Sequence, residues 1–129
     1  ERYRKNKQAA FERNIRNTKK RKLVDPAFAL SVLIRSSINN HMRKGGYTKK
    51  SRTQQILGCT WDEFKSHIER QFLRGMSWGN RHLWHLDHIV PMAKAKSAED
   101  VVALNHFTNL RPMWAKDNIR KSDAITHLI

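Results

Sequence analysis

The segment Trp84-His85-Leu86-Asp87-His88-Ile89-Val90-Pro91 sets a carboxylate directly before an imidazole, two side chains able to move protons or bind metal ions. Apolar and polar residues alternate from Trp84 to Asp87, as on a half-buried strand, and Pro91 ends the pattern. Two acid–base or metal-binding groups therefore meet at a predicted strand end. By itself an Asp-His pair is common, and Asp117-Asn118 further along reads equally well as a turn. Cys59 is the only cysteine, which excludes an internal disulfide and any zinc cluster needing two or more thiolates from this chain. A bound metal is expected to draw on His, Asp, Glu or Asn.

The surrounding elements must position these groups. Ser97, three residues before Asp100, starts a short helix carrying Val101, Val102 and Leu104. His106 to Trp114 then reads as a second strand or extended segment, and residues 115–122 as a short basic helix. The predicted order is strand, connector, strand, helix. Upstream, Asp25-Pro26 supplies an N-cap and a proline for the first helical position, while Gly45-Gly46 supplies a stop. Between them Phe28, Leu30, Val32, Leu33, Ile34, Ile38 and Met42 recur at helical spacing, so this helix packs. A short helix is predicted over 51–57, closed by Gly58. Thr60 and Glu63 form a capping box for a helix over 61–73, with Trp61, Phe64, Ile68, Phe72 and Leu73 on its apolar side. Trp61 and Phe64 share that stripe with Ile68 and are expected in the core, not stacked on bases. A loop with Gly75 and Gly79 leads into the strand. The fold class is α+β and mostly helical.

The set Asp87-His88-Ile89-Val90-Pro91, then Asn109-Leu110, then Asp117-Asn118 with Lys121 three residues on, resembles the HNH or ββα-metal nuclease motif, also called the His-Me finger. The longer pattern resembles small phage and bacterial HNH endonucleases: Leu57-Gly58-Cys59-Thr60, Glu63-Phe64, Phe72, Gly75-Met76-Ser77-Trp78 and Trp84 to His88. It covers residues 45 to 122; the basic segment before it is similar only in character.

The resemblance implies a set of roles. His88 is the general base, because an imidazole with an ordinary pKa of about 6.5 is largely neutral at pH 7 and takes a proton from water. Asp87 and Asn118 hold one Mg²⁺ or Mn²⁺, which stabilises charge on the scissile phosphate and the leaving 3′ oxygen. Asn109 ties down the loop between the strands and helps orient His88. Two protein oxygens leave most of an octahedral shell to waters and phosphate, as a catalytic site requires. The family often has a second metal-binding His where this chain has Asn118, and an amide oxygen favours Mg²⁺ or Mn²⁺ over zinc. His85 and His106 are accessory ligand or orienting candidates, or ordinary hydrogen-bonded histidines. Neighbouring side chains on a strand point to opposite faces, so Asp87 and His88 share a site only where the strand ends, bends or bulges.

The 129 residues allow one domain plus an appendage, and 39% hydrophobic residues allow one modest core. With 26 Lys and Arg against 11 Asp and Glu, the net charge of +15 attracts polyanions. There is no apolar run of 18 residues and no signal-peptide pattern, so the expected location is the cytoplasm, in a bacterial host or encoded by a phage. The chain opens on Glu1, not Met, and is expected to be part of a longer or processed one.

Charge is unevenly spread: residues 1–58 carry 16 Lys and Arg against three acids, residues 59–129 ten against eight. The division suggests a basic helical DNA-binding region over 1–58 and an HNH nuclease domain over 59–129. Residues 1–22 have few apolar positions, so an isolated helix there would be marginal and is expected to order on DNA. Candidate phosphate contacts in the basic region are Arg35, Arg43, Lys44, Lys49, Lys50 and Arg52. Those near the motif are Arg111, Lys116, Arg120 and Lys121. Double-stranded DNA is the expected substrate, with RNA as the alternative and a non-catalytic nucleic-acid-binding module on the same fold as the competing class. A double-strand break needs a homodimer or two visits, since one active site cuts one strand.

Overall fold

A computed structural model describes residues 1–119 and 121. Five α-helices precede or connect two strands: α1 (Arg2–Val24), α2 (Pro26–Gly45), α3 (Thr53–Leu57), α4 (Trp61–Glu69), β1 (Trp84–His88), α5 (Ala98–Leu104) and β2 (Leu110–Trp114). Short 3₁₀ turns occupy Trp78–Leu83, Met92–Lys94 and Phe107–Asn109. Residues 115–119 are helical directly after β2. The molecule is thus α+β and mainly helical, with one small antiparallel sheet.

α2 begins where the sequence placed its cap. The Asp25 carboxylate accepts from the Phe28 amide at 3.2 Å, with Pro26 at the first helical position, and Gly46 closes the helix at φ 72°. Leu30, Ile34, Ile38 and Met42, four residues apart along one face, are buried with Ile56 and Leu57 of α3 and Phe64 and Ile68 of α4. Met76, Trp84, Val101 and Leu110 complete the same core. Because α2 is a wall of the core that also holds β1 and β2, the change of charge near Gly58 marks no break in packing.

α4 starts on the Thr60–Glu63 capping box but ends at Glu69, earlier than the predicted 73. Tertiary contacts peel the chain away. The Gln71 side chain donates to the His67 carbonyl and to the Leu110 carbonyl of β2, at 3.1 and 3.4 Å. Phe72 leaves the helical line to pack against Trp78 and Trp84, with ring centroids 5.0 and 5.3 Å apart. This aromatic cluster fixes the start of β1.

β1 and β2 pair in register from Trp84 opposite Trp114 to His88 opposite Leu110. The second strand begins at Leu110; the predicted stretch before it is a 3₁₀ turn capped by His106.

The first 24 residues differ from expectation. α1 is helical throughout although no residue in it is buried. Its far end supplies the anchorage: the Asp25 amide donates to the Arg21 carbonyl, Arg81 donates to the Lys22 carbonyl, and the Arg21 guanidinium lies 4.0 Å over the Phe28 ring. With that turn held, extension needs only propensity, and Ala, Gln, Lys and Arg have it.

Candidate functional site

β1 ends at His88, and its last two residues border the same cleft. Asp87 and His88 line one cleft of about 210 Å³, together with His41 of α2, Pro91, Met92, Asn118 and Lys121. The sequence therefore located both groups, and α2, the connector and the chain after β2 bring the rest of the cleft to them.

Asp87 is 6% exposed and its charge is fully answered. Arg111, its partner across the sheet, donates from Nε to Oδ2 at 2.9 Å. Lys121 donates from Nζ to both carboxylate oxygens at 3.1 Å, and also to the His88 carbonyl at 3.0 Å. Two of the predicted phosphate contacts, Arg111 and Lys121, are thus gathered at the carboxylate.

The His88 ring is partly buried, with Nε2 2.9 Å from Oδ1 of Asn105. Burial holds its pKa below the usual 6.5; the Asn105 hydrogen bond opposes that, the neighbouring His41 adds to it, and Asp87 and Lys121 act in opposite senses. The lowered pKa favours the neutral form of the ring. The His41 ring stands edge-on to it, centroids 5.9 Å apart.

Asn109 clamps the loop after β1. Its Oδ1 accepts from the Val90 amide at 2.8 Å, while Nδ2 donates to the carbonyls of Val90 and Leu104 at 3.1 and 2.8 Å. The loop-tying part of its expected role matches this geometry; the side chain that touches His88 is Asn105. Asn118 sits in the helical stretch after β2, its Nδ2 3.5 Å from Nδ1 of exposed His85. His106 lies away from the cleft, where Nδ1 bonds the Thr108 hydroxyl at 2.8 Å.

The other basic candidates are dispersed. Arg35, Arg43 and Lys44 are exposed on α2, Lys50 and Arg52 are exposed before α3, and Lys116 is exposed after β2. Lys49 is half-buried and donates to the Thr53 hydroxyl at 2.6 Å. Arg120 lies outside the described residues.

Among the described residues no group of three or more His, Cys, Asp and Glu could hold a metal ion. The oxygen donors that share the cleft are the Asp87 carboxylate, already engaged by Arg111 and Lys121, and the amide of Asn118, with the imidazoles of His41 and His88 beside them. The two oxygens suit a hard divalent ion that keeps most of its waters.

Two proteins of Acanthamoeba polyphaga mimivirus, both described as uncharacterized, are similar to this chain. One is 31% identical over 118 residues, which is 89% of this chain and 51% of that protein. The other is 26% identical over 121 residues, 92% of this chain and 52% of that protein. The chain spans about half the length of the curated relatives it matches. No family model matches it. No solved structure does either.

Sequence reasoning missed His41 and Asn105. His41 lies beside core residue Met42 in a packed helix, and nothing in the spacing of α2 marks it as part of a cleft. Asn105 follows α5 and is 0% exposed, a polar side chain that only its partners explain.

Proposed function

We propose that this chain is a metal-dependent HNH endonuclease that hydrolyses DNA phosphodiester bonds. The observation that carries the reading is the meeting of Asp87, His88, Asn118 and Lys121 in one cleft, on elements that run strand, helical connector, strand, helix. This arrangement supports the resemblance of the sequence to the ββα-metal motif, with Asn118 where that family often has a second His. His88, whose burial favours the neutral ring, accepts the proton of a water that attacks phosphorus. Asp87 and Asn118 would hold a Mg²⁺ or Mn²⁺ ion, which when bound supplies Lewis-acid stabilisation of charge on the phosphate and the departing oxygen. Lys121 and Arg111 add positive charge where the phosphate would lie. Asn109 keeps the loop after β1 closed behind the reacting groups.

The competing reading is a nucleic-acid-binding module without catalysis. The observation in its favour is that Arg111 and Lys121 already satisfy the Asp87 carboxylate, as in a purely structural ion pair. Incubating supercoiled plasmid with the protein in Mg²⁺, Mn²⁺ or chelator separates the two. The expected result is nicking with metal, its loss with chelator, and a fall of roughly 10²–10⁴-fold for His88→Ala with DNA binding retained. Binding without nicking in either metal would support the module. Cleavage of RNA in place of DNA in a parallel digest would move the substrate class.

A further inference from the structure

Asn105 is the only fully buried polar residue among the described residues, at 0% exposure, and both ends of its amide are engaged. Nδ2 donates to the Val101 carbonyl at 2.8 Å, one turn back in α5, and lies 3.7 Å from the Met92 sulfur. The carbonyl of Val101 can only accept, so it fixes which way round the amide sits. Oδ1 is thereby pointed at Nε2 of His88, 2.9 Å away. An amide oxygen can only accept as well, so the nitrogen facing it must carry the hydrogen.

We infer that Asn105 is a positioning residue that holds neutral His88 as the Nε2–H tautomer and so makes Nδ1 the proton-accepting atom. A neutral imidazole has one donor and one acceptor nitrogen, and the partner of the first decides the second. The catalytic half of this inference rests on the nuclease reading above; the tautomer itself does not. It also divides a role that the family resemblance gave to Asn109. Asn109 holds the loop backbone through Val90 and Leu104, and Asn105 holds the ring.

The test begins with the wild-type protein, using ¹⁵N spectra of histidine rings at pH above 7.5 with the His88 signals assigned by their loss in His88→Gln. The expected pattern is a protonated Nε2 and an unprotonated Nδ1. A protonated Nδ1 would overturn the inference whether or not the protein cuts DNA. Asn105→Asp keeps an accepting oxygen towards Nε2 and should keep the pattern, whereas Asn105→Leu should leave the two tautomers mixed. Circular dichroism confirms that each variant is folded, and the wild-type spectrum decides the tautomer if Leu is not tolerated. In plasmid nicking, Asn105→Leu should lower turnover roughly 10- to 100-fold with KM for DNA nearly unchanged, and Asn105→Asp should recover most of it. A rise in KM with turnover intact would overturn the positioning role. The expected tautomer in a protein that never nicks would retain the ring placement and remove the nuclease reading instead.

Discussion

The Asp87 carboxylate, 6% exposed, has lost most of its water, and Arg111 and Lys121 stand in its place at 2.9 and 3.1 Å. Burial acts on His88 by lowering its pKa, which favours the neutral ring. Cys59, the chain's one thiol, follows the same rule. Burial, and then the nearby charge of Glu63, raise its pKa from 9.0 to about 11. The thiolate is the reactive form, so at pH 8 its share is about 100-fold below that of a thiol at 9.0. Labelling of the folded protein with iodoacetamide at pH 8 should be slower than labelling in urea by about that factor. Its rate should go on rising with pH up to the neighbourhood of 11. Equal rates in the folded and denatured protein would show that Cys59 is not held as described.

At the scale of elements, helix ends do much of the positioning. Gly58 closes α3 at φ 86° with its amide on the Gln54 carbonyl, and it lies directly under the His106 ring, so that an added Cβ would collide with Nε2. Gly46 closes α2 at φ 72° with open space around it. Both need the left-handed conformation, but only one also needs the missing side chain. Gly46→Ala should cost about 1 kcal/mol in urea denaturation, from backbone strain alone. Gly58→Ala should cost roughly 2–4 kcal/mol, strain plus displacement of His106 from its cap on the turn before β2. Equal losses at the two positions would mean that the His106 contact contributes nothing. The same turn places Asn109, so the cap of a short helix far along the chain bears on the loop behind His88.

Over the whole molecule, charge and packing divide differently. The core takes side chains from α2 to β2, while α1 lies outside it with every residue from 1 to 17 exposed. Ten of the Lys and Arg residues lie within the first 22 positions. A helix so placed can lose charge without disturbing the fold. Replacing Arg13, Arg16, Lys19 and Lys20 together by Ala keeps helix propensity and removes four cations. If α1 contacts phosphates, the slope of log affinity for duplex DNA against log salt should become shallower by up to about 0.9 for each cation removed. Thermal stability should stay nearly unchanged. An unaltered slope would place the DNA-binding surface elsewhere, with the exposed cations of α2 the next to test.

What the sequence determined by itself is local. Caps and periodicity act over three or four residues, and they located α2 from Asp25-Pro26, the start of α4 from Thr60 and Glu63, and α5 from Ser97 and Asp100. Alternation located β1, and with it the adjacent Asp87 and His88. Asn109 and Asn118 were singled out through the resemblance to the ββα-metal motif. The tertiary structure alone decided the partners. Asn105 reaches His88 across 17 residues, Lys121 reaches Asp87 across 34, and His41 arrives from a helix on the other side of the core. No periodicity spans such separations, because they are set by how α2, α5 and the hairpin close on one another. For the same reason α4 ends where Gln71 and Phe72 find β2 and the tryptophans, ahead of the point at which its own apolar stripe runs out.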